Sequence, residues 1–253
     1  MTEHLPDRVR AVHADPGRTP PAPGDPGGIR PVPADPVHAL GASYEALAAA
    51  VTPLGEEESW RPTGCAGWVV RDLVHHCLAD CRRALVALHT PHTGPPDRDA
   101  VTYWQQWRPD SADAAQERRS ARLGASTYPD FAPLRELYLE TAAAAVTAAA
   151  RTGTEVLVST QGHVLTAGDL MATLTVEATV HHLDLTYALP AAPGPSAAGL
   201  ASVRSALDGL LGRPVPLDWD DGHYARAATG RVPLTDTERR ALGRDAERFP
   251  LFG

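Results

Sequence analysis

The chain has 253 residues, 43% hydrophobic and 21% charged, which fits a soluble globular protein with one sizeable core and an accessory region, or two small domains. Its formal charge of −8 excludes the basic footprint of a nucleic-acid-binding protein, and no stretch approaches the ~20 apolar residues that span a bilayer. The stretch MTEHLPDRVRAVHADPG has no apolar segment of the secretory kind, and Cys65, Cys77 and Cys81 are too few and too local for a disulfide framework, so a cytoplasmic protein is expected.

Residues 1–35 carry proline and glycine at a density that prevents helix and sheet, and they have little to bury, so a disordered extension is expected there. A first helix begins near Pro36, with Leu40, Tyr44, Leu47 and Val51 at helical spacing, and Pro53 and Gly55 stop it. A second follows RPTGCAG, with Val70, Leu73, Val74, Cys77, Cys81, Ala84, Leu85 and Leu88 as its apolar stripe. The mixed segment 101–126 reads as a loop with aromatic anchors and one helical stretch. A long helix spans DFAPLRELYLETAAAAVTAAA, its alanine run serving as a close-packing face.

Around Gly162, EVLVSTQGHVLT reads as a strand-like excursion. Thr166, with Asp169 three residues on, resembles a capping-box start for a helix from Ala167 to Leu189, which Pro190 ends. PAAPGPSAAG is a linker to one more helix, AAGLASVRSALDGLLG, and a polar tail. Four substantial helices within 36–190 predict a mainly α protein built on a helical bundle, and 191–253 form a smaller appendage.

The helix after Ala167 poses a question. Leu170, Leu174, Glu177, His181, Asp184, Leu185 and Ala188 share one stripe, yet a stripe facing a core should not carry a carboxylate and an imidazole one turn apart. Glu177 and His181 have the i, i+4 spacing that lets two side chains share a metal ion. They can equally hydrogen-bond each other or line a water-filled bundle end. In the second helix His75 and His76 both lie off the main stripe, and the secondary face of Val69, Leu73, His76 and Asp80 favours His76. His182 points away from Glu177 and reads as a surface residue, and His163 as a loop histidine.

The segments SWRPTGCAGWVVRDLVHHCLAD and VEATVHHLDL resemble the mycothiol-dependent maleylpyruvate isomerase family. In that family a Trp and a GW-x-V-R-D-L-x-x-H stretch open the second helix, and an E-x3-H-x2-D helix follows later. VTYWQQW and the tail LDGLLGRPVPLDWDDGHYARAATGRVPLT are also similar to its members, so the resemblance covers nearly everything after residue 36. It implies a DinB-like four-helix bundle over 36–190 with a small C-terminal α(+β) appendage, and a divalent metal, usually zinc, held by His76, Glu177 and His181. It also implies an actinobacterial source, which fits a chain whose basic residues are all arginine.

On this resemblance mycothiol is the thiol cosubstrate, and its metal-activated thiolate attacks a small-molecule electrophile, ending in transfer or in cis–trans isomerisation. Asp184 is then a hydrogen-bond acceptor for a ligating imidazole, or simply a helix-end carboxylate in water. Arg231 meets a substrate or cofactor carboxylate, or is a surface arginine. Two other readings compete: a hydrolase using zinc-bound water, and a non-catalytic binding or regulatory bundle. The partners expected are small molecules only, with neither nucleic acid nor membrane, for a monomer or homodimer.

Overall fold

In the computed structural model, residues 35–107 and 112–252 are described, and they fall in one compact unit. The expectation for the Pro/Gly-rich segment concerns residues outside that range, save Asp35. Asp35 is the N-cap of α1 (Pro36–Val51): its carboxylate accepts the His38 N–H at 3.0 Å, and Pro36 opens the helix where its missing N–H costs nothing. A single turn, α2 (Glu56–Ser59), follows; four residues are too few for a periodic pattern to reveal. In α3 (Val70–Leu88), Asp72 reaches back to the Val69 N–H at 3.1 Å.

After a 3₁₀ turn at Thr102–Gln106 come α4 (Ala112–Ser126) and α5 (Phe131–Arg151). The excursion around Gly162 is a hairpin, β1 (Leu157–Thr160) paired antiparallel with β2 (His163–Thr166). Its two-residue loop places Gln161 and Gly162 at φ of 49° and 80°, the left-handed pair that matches strand twist and that glycine accepts without strain. Then come α6 (Ala167–Leu185), α7 (Ala197–Leu211), α8 (Asp221–Ala228) and α9 (Asp236–Leu242). Thr166 caps α6 by accepting the Asp169 N–H at 3.0 Å, while Asp169 takes the Ala100 N–H at 3.1 Å and so pins the preceding loop.

Four helices make the bundle, in the ring order α1, α5, α3, α6. The alanine run of α5 packs as a close face, with Ala142, Ala145, Ala148 and Ala149 all buried. No described helix is long and apolar enough to cross a membrane.

The structure differs from the sequence reading on the far side of α6. Every residue of that helix is buried except Glu177. One face joins the bundle core through Leu170, Leu174 and Leu185, and the other joins a second cluster through Val176, Val180 and Leu183. That second cluster holds Val203, Leu207 and Leu211 of α7, Tyr224 of α8 and Phe252, so the tail packs on α6. Among the described residues the appendage consists of helices and loops without a strand, and the two-stranded sheet lies in the bundle portion. His182 is likewise not a surface residue: it is 1% exposed, and its Nε2 lies 2.7 Å from the Pro193 carbonyl, which it uses to tie down the linker.

A chain ending at Pro190 would expose Val176, Val180 and Leu183 at once. It is expected to aggregate or to lose its cooperative thermal transition, measured by circular dichroism against the full chain; a truncated chain melting within a few degrees of the full one would contradict the shared core.

Candidate functional site

The bundle presents polar groups where α3 and α6 face each other. His76 and Asp80 stand one turn apart on α3, and Glu177, His181 and Asp184 follow one another on α6. The rings of His76 and His181 lie edge to face with centroids 4.7 Å apart, over Trp68, whose ring is 5.0 Å from that of His76. His181 Nε2 is 3.2 Å from Glu177 Oε2, and His76 Nε2 is 3.3 Å from Asp80 Oδ2. Asp80 is also paired with Arg83. His75, the neighbour, turns instead towards Gly124 of α4 and Tyr128 just beyond it.

A second layer fixes His181 from behind. Its Nδ1 is 3.1 Å from Asp184 Oδ2, and an ionised carboxylate can only accept, so the Nδ1 proton is donated there and Nε2 is left to face Glu177 and His76. Asp184 is 1% exposed. Arg231 meets it with a fork, Nε to Oδ1 and Nη2 to Oδ2 at 2.8 Å each, while Nη1 donates to the Thr229 carbonyl. The Cys65 thiol donates to Asp184 Oδ2 at 3.0 Å, and the Gly64 N–H to the Asp184 carbonyl at 2.9 Å. A Cβ at Gly64 would meet Asp184 Cα at 3.1 Å, so only glycine lets this loop approach so closely.

Electrostatics follows from these contacts. Burial works to raise the Asp184 pKa, but the Arg231 charge and the His181 hydrogen bond outweigh it and hold the carboxyl well below its usual range. Burial works to lower that of His181, yet hydrogen bonds to Asp184, Cys65 and Glu177 carry it well above the ordinary imidazole value. Glu177 shifts down, against its burial, through its hydrogen bond to His181 and the charges of His181, His76 and Arg83. Glu117 on α4, 3.6 Å from His76 Nδ1, is pushed up, chiefly by burial. Burial also pushes the Cys65 thiol up, so in this setting it is a hydrogen-bond donor and not a ready nucleophile.

The donor atoms suit a divalent cation. One ligand atom each from His76, Asp80, Glu177 and His181 all lie within 4.8 Å of one another. Two ligands at about 2.0 to 2.1 Å in a tetrahedral site stand roughly 3.3 Å apart, and the His181–Glu177 and His76–Asp80 donor pairs are at 3.2 and 3.3 Å. The set of imidazole nitrogens and carboxylate oxygens fits zinc among other first-row ions. Cys65, His181 and Asp184 form a second convergence, but a cation there would face the Arg231 guanidinium already seated on Asp184.

These groups open onto a cavity of about 320 Å³. Trp68, Trp104, Trp107 and Phe252 line it, with Glu117 and Arg118 of α4 and Thr229–Arg231 of the tail at its rim. Trp68 Nε1 donates to the Arg118 carbonyl at 3.2 Å and so ties α4 to the site.

All the candidates named from the sequence thus converge: His76, Glu177 and His181 in one cluster, Asp184 behind it, and Arg231 paired with Asp184 while also lining the cavity. Asp80, Glu117 and Cys65 were missed. The His76-x3-Asp80 spacing equals that of Glu177 and His181 and offered a signal for the first. Nothing local marks Glu117, whose part depends on how α4 docks.

The mycothiol maleylpyruvate isomerase N-terminal domain family matches residues 40–186, more than half of the chain. The chain belongs to this family. Its matched stretch holds His76, Asp80, Glu177, His181 and Asp184, and Arg231 lies beyond it. The crystal structure of a mycothiol-dependent maleylpyruvate isomerase is similar at a TM-score of 0.48 and 16% identity, over 70% of this chain and 66% of that one, just under two thirds of its length. No curated protein sequence matches.

Removing Asp184 would leave the largely covered Arg231 without its partner and His181 Nδ1 without its acceptor, a loss of about 3 kcal/mol for Asp184→Ala. Asp184→Asn tests the charge alone. A depressed carboxyl pKa contributes stability that is full above the unfolded value of about 3.9 and is lost as pH falls towards the folded value. Urea unfolding of the metal-free protein from pH 6 down to pH 3 is expected to show a steeper acid loss in the wild type than in Asp184→Asn; equal slopes would contradict it.

Proposed function

We propose that this protein is a metal- and mycothiol-dependent enzyme, with His76, Glu177 and His181 as metal ligands, whose thiol cosubstrate adds to an electrophilic small molecule. The adduct either persists as a sulfur conjugate, or, after bond rotation, expels the thiol and leaves the trans isomer. The observation that carries this reading is the convergence of two imidazoles and a carboxylate from α3 and α6 at the floor of a cavity, in a chain of this family. The isomerase half rests on the activity that names the family.

A divalent ion held by these residues would lower the pKa of a thiol or water sharing it by several units. The chain's own groups do the rest. Asp184 holds the His181 proton at Nδ1 and keeps Nε2 available; Arg231 holds Asp184; Glu117 faces His76 Nδ1. The aromatic walls limit water, which strengthens every electrostatic interaction inside. Three free cysteines agree with a cytoplasmic setting.

Elemental analysis of wild type, His76→Ala and Glu177→Ala, purified without added metal, is the direct test. About one divalent ion per chain, lost in both variants while circular dichroism stays unchanged, is expected. A wild type without metal even after reconstitution would overturn the reading and leave Glu177 and His181 a hydrogen-bonded pair in a non-catalytic bundle. Turnover without mycothiol would instead favour the hydrolase.

Proton linkage gives an independent check. His181 holds its proton above the ordinary imidazole pKa of about 6.5, and a ligand must be neutral, so cation binding displaces that proton. Zinc affinity is therefore expected to rise with pH above about 6.5, with proton release visible as a buffer-dependent enthalpy in titration calorimetry. A pH-independent affinity would contradict it.

A further inference from the structure

The floor of the cavity holds two pairs of side chains, one on each of two facing helices. On α6, His181 Nε2 is 3.2 Å from Glu177 Oε2; on α3, His76 Nε2 is 3.3 Å from Asp80 Oδ2. Both pairs have the i, i+4 spacing, in opposite order along their helices. A ring nitrogen facing a carboxylate oxygen at such a distance either shares a proton with it or is a second acceptor with nothing between. His181 gives its Nδ1 proton to Asp184, and His76 Nδ1 faces Glu117 at 3.6 Å. The neutral ring that each of these carboxylates favours therefore presents Nε2 as a bare acceptor. A cation among the four atoms answers both pairs at once, and all four lie within 4.8 Å of one another.

Asp80 is placed to serve as a donor in this set. It is buried, so an ionised carboxylate there needs partners for its oxygens. Arg83, one turn further along α3, pairs with Oδ1. Oδ2, the oxygen turned to His76, is then the atom aimed at the cluster. Its side of approach is also distinct. His76, Glu177 and His181 line the cavity, whereas Asp80 borders a small void in the bundle core together with Glu177, Tyr44 and Tyr138. Asp80 thus reaches the cluster from within the bundle and leaves the cavity side free.

We propose that Asp80 is a fourth metal donor, through Oδ2, and that Arg83 is the residue that positions it. This rests on the metal reading above and deepens it. Glu177 and Asp80 together match the charge of a divalent ion, so the site is neutral before any thiol arrives. A zinc site can expand from four ligands to five, and a thiol entering from the cavity side need not displace Asp80.

Two measurements on the full-length protein test the proposal. Zinc affinity, from competition with a chromophoric chelator, is compared among wild type, Asp80→Ala, Asp80→Asn, Arg83→Ala and Arg83→Lys, each checked by circular dichroism. Both Asp80 variants are expected to bind about a hundredfold more weakly, and Arg83→Ala about tenfold, with Arg83→Lys recovering most of that loss. A crystal structure of the zinc-loaded wild type needs no variant to fold, and it is expected to place Asp80 Oδ2 about 2.0–2.2 Å from the ion. Asp80→Asn binding zinc as tightly as the wild type, or a bound ion beyond coordinating distance of Oδ2, would overturn the proposal and leave Asp80 an ion-pair partner of Arg83. Zinc uptake abolished by His76→Ala but kept in Asp80→Asn would remove the fourth donor alone. A wild type that takes up no zinc would sink the metal reading and this proposal together.

Discussion

A single buried carboxylate organises this molecule. Asp184, at the last turn of α6, is almost wholly removed from water and can remain ionised there only because Arg231, His181 and Cys65 all donate to it. Each donor comes from a different part of the chain: the tail, the same helix and the loop before α3. Removing an isolated charge from water costs many kcal/mol, and only a full set of partners offsets that cost. The requirement forces the tail to fold back onto the bundle and forces the loop to approach closely enough that Gly64 cannot carry a side chain. Stability and the orientation of His181 therefore depend on one interaction.

The burial of α6 on all sides gives that interaction its functional consequence. A helix packed against α1 and α3 on one side and α7 and α8 on the other has little freedom to rotate or shift. Glu177, the one residue of α6 not buried, lines the cavity together with Val180 and His181. A metal-binding constellation needs its donors held to within a fraction of an ångström, and rigid helices backed by hydrogen-bonded partners supply that. The proposed chemistry and the aromatic wall also share residues with the tail, since Phe252 and Thr229–Arg231 close the cavity that α3 and α6 floor.

Much of the bundle was legible because helices announce themselves locally. Pro36 after an Asp, Thr166 before Asp169, and the apolar stripes of α1, α3 and α5 each depend on neighbours within four residues. The oddity of Glu177 and His181 on a buried stripe was legible for the same reason. His182 was misread because burial is a matter of distant chain: a histidine opposite the stripe looks solvated until a linker carbonyl and a second hydrophobic cluster arrive to cover it. Asp184 and Arg231 were legible as candidates, but nothing in their spacing of 47 residues said that they meet each other.

What the amino-acid sequence determined by itself is the set of helices, the i, i+4 spacing that puts Glu177 and His181 on one face, and, through its resemblance, the family. Those are short-range facts, set by backbone hydrogen bonding and by the 3.6-residue turn. What only the tertiary structure decided is the side from which each group is met: His76 inward and His75 towards α4, Asp80 and Glu117 into the cluster, Arg231 onto Asp184, and Trp68, Trp104, Trp107 and Phe252 around one cavity. Such juxtapositions arise because burying apolar surface chooses which helix faces pair, and the buried charges must then find partners wherever that packing has brought them.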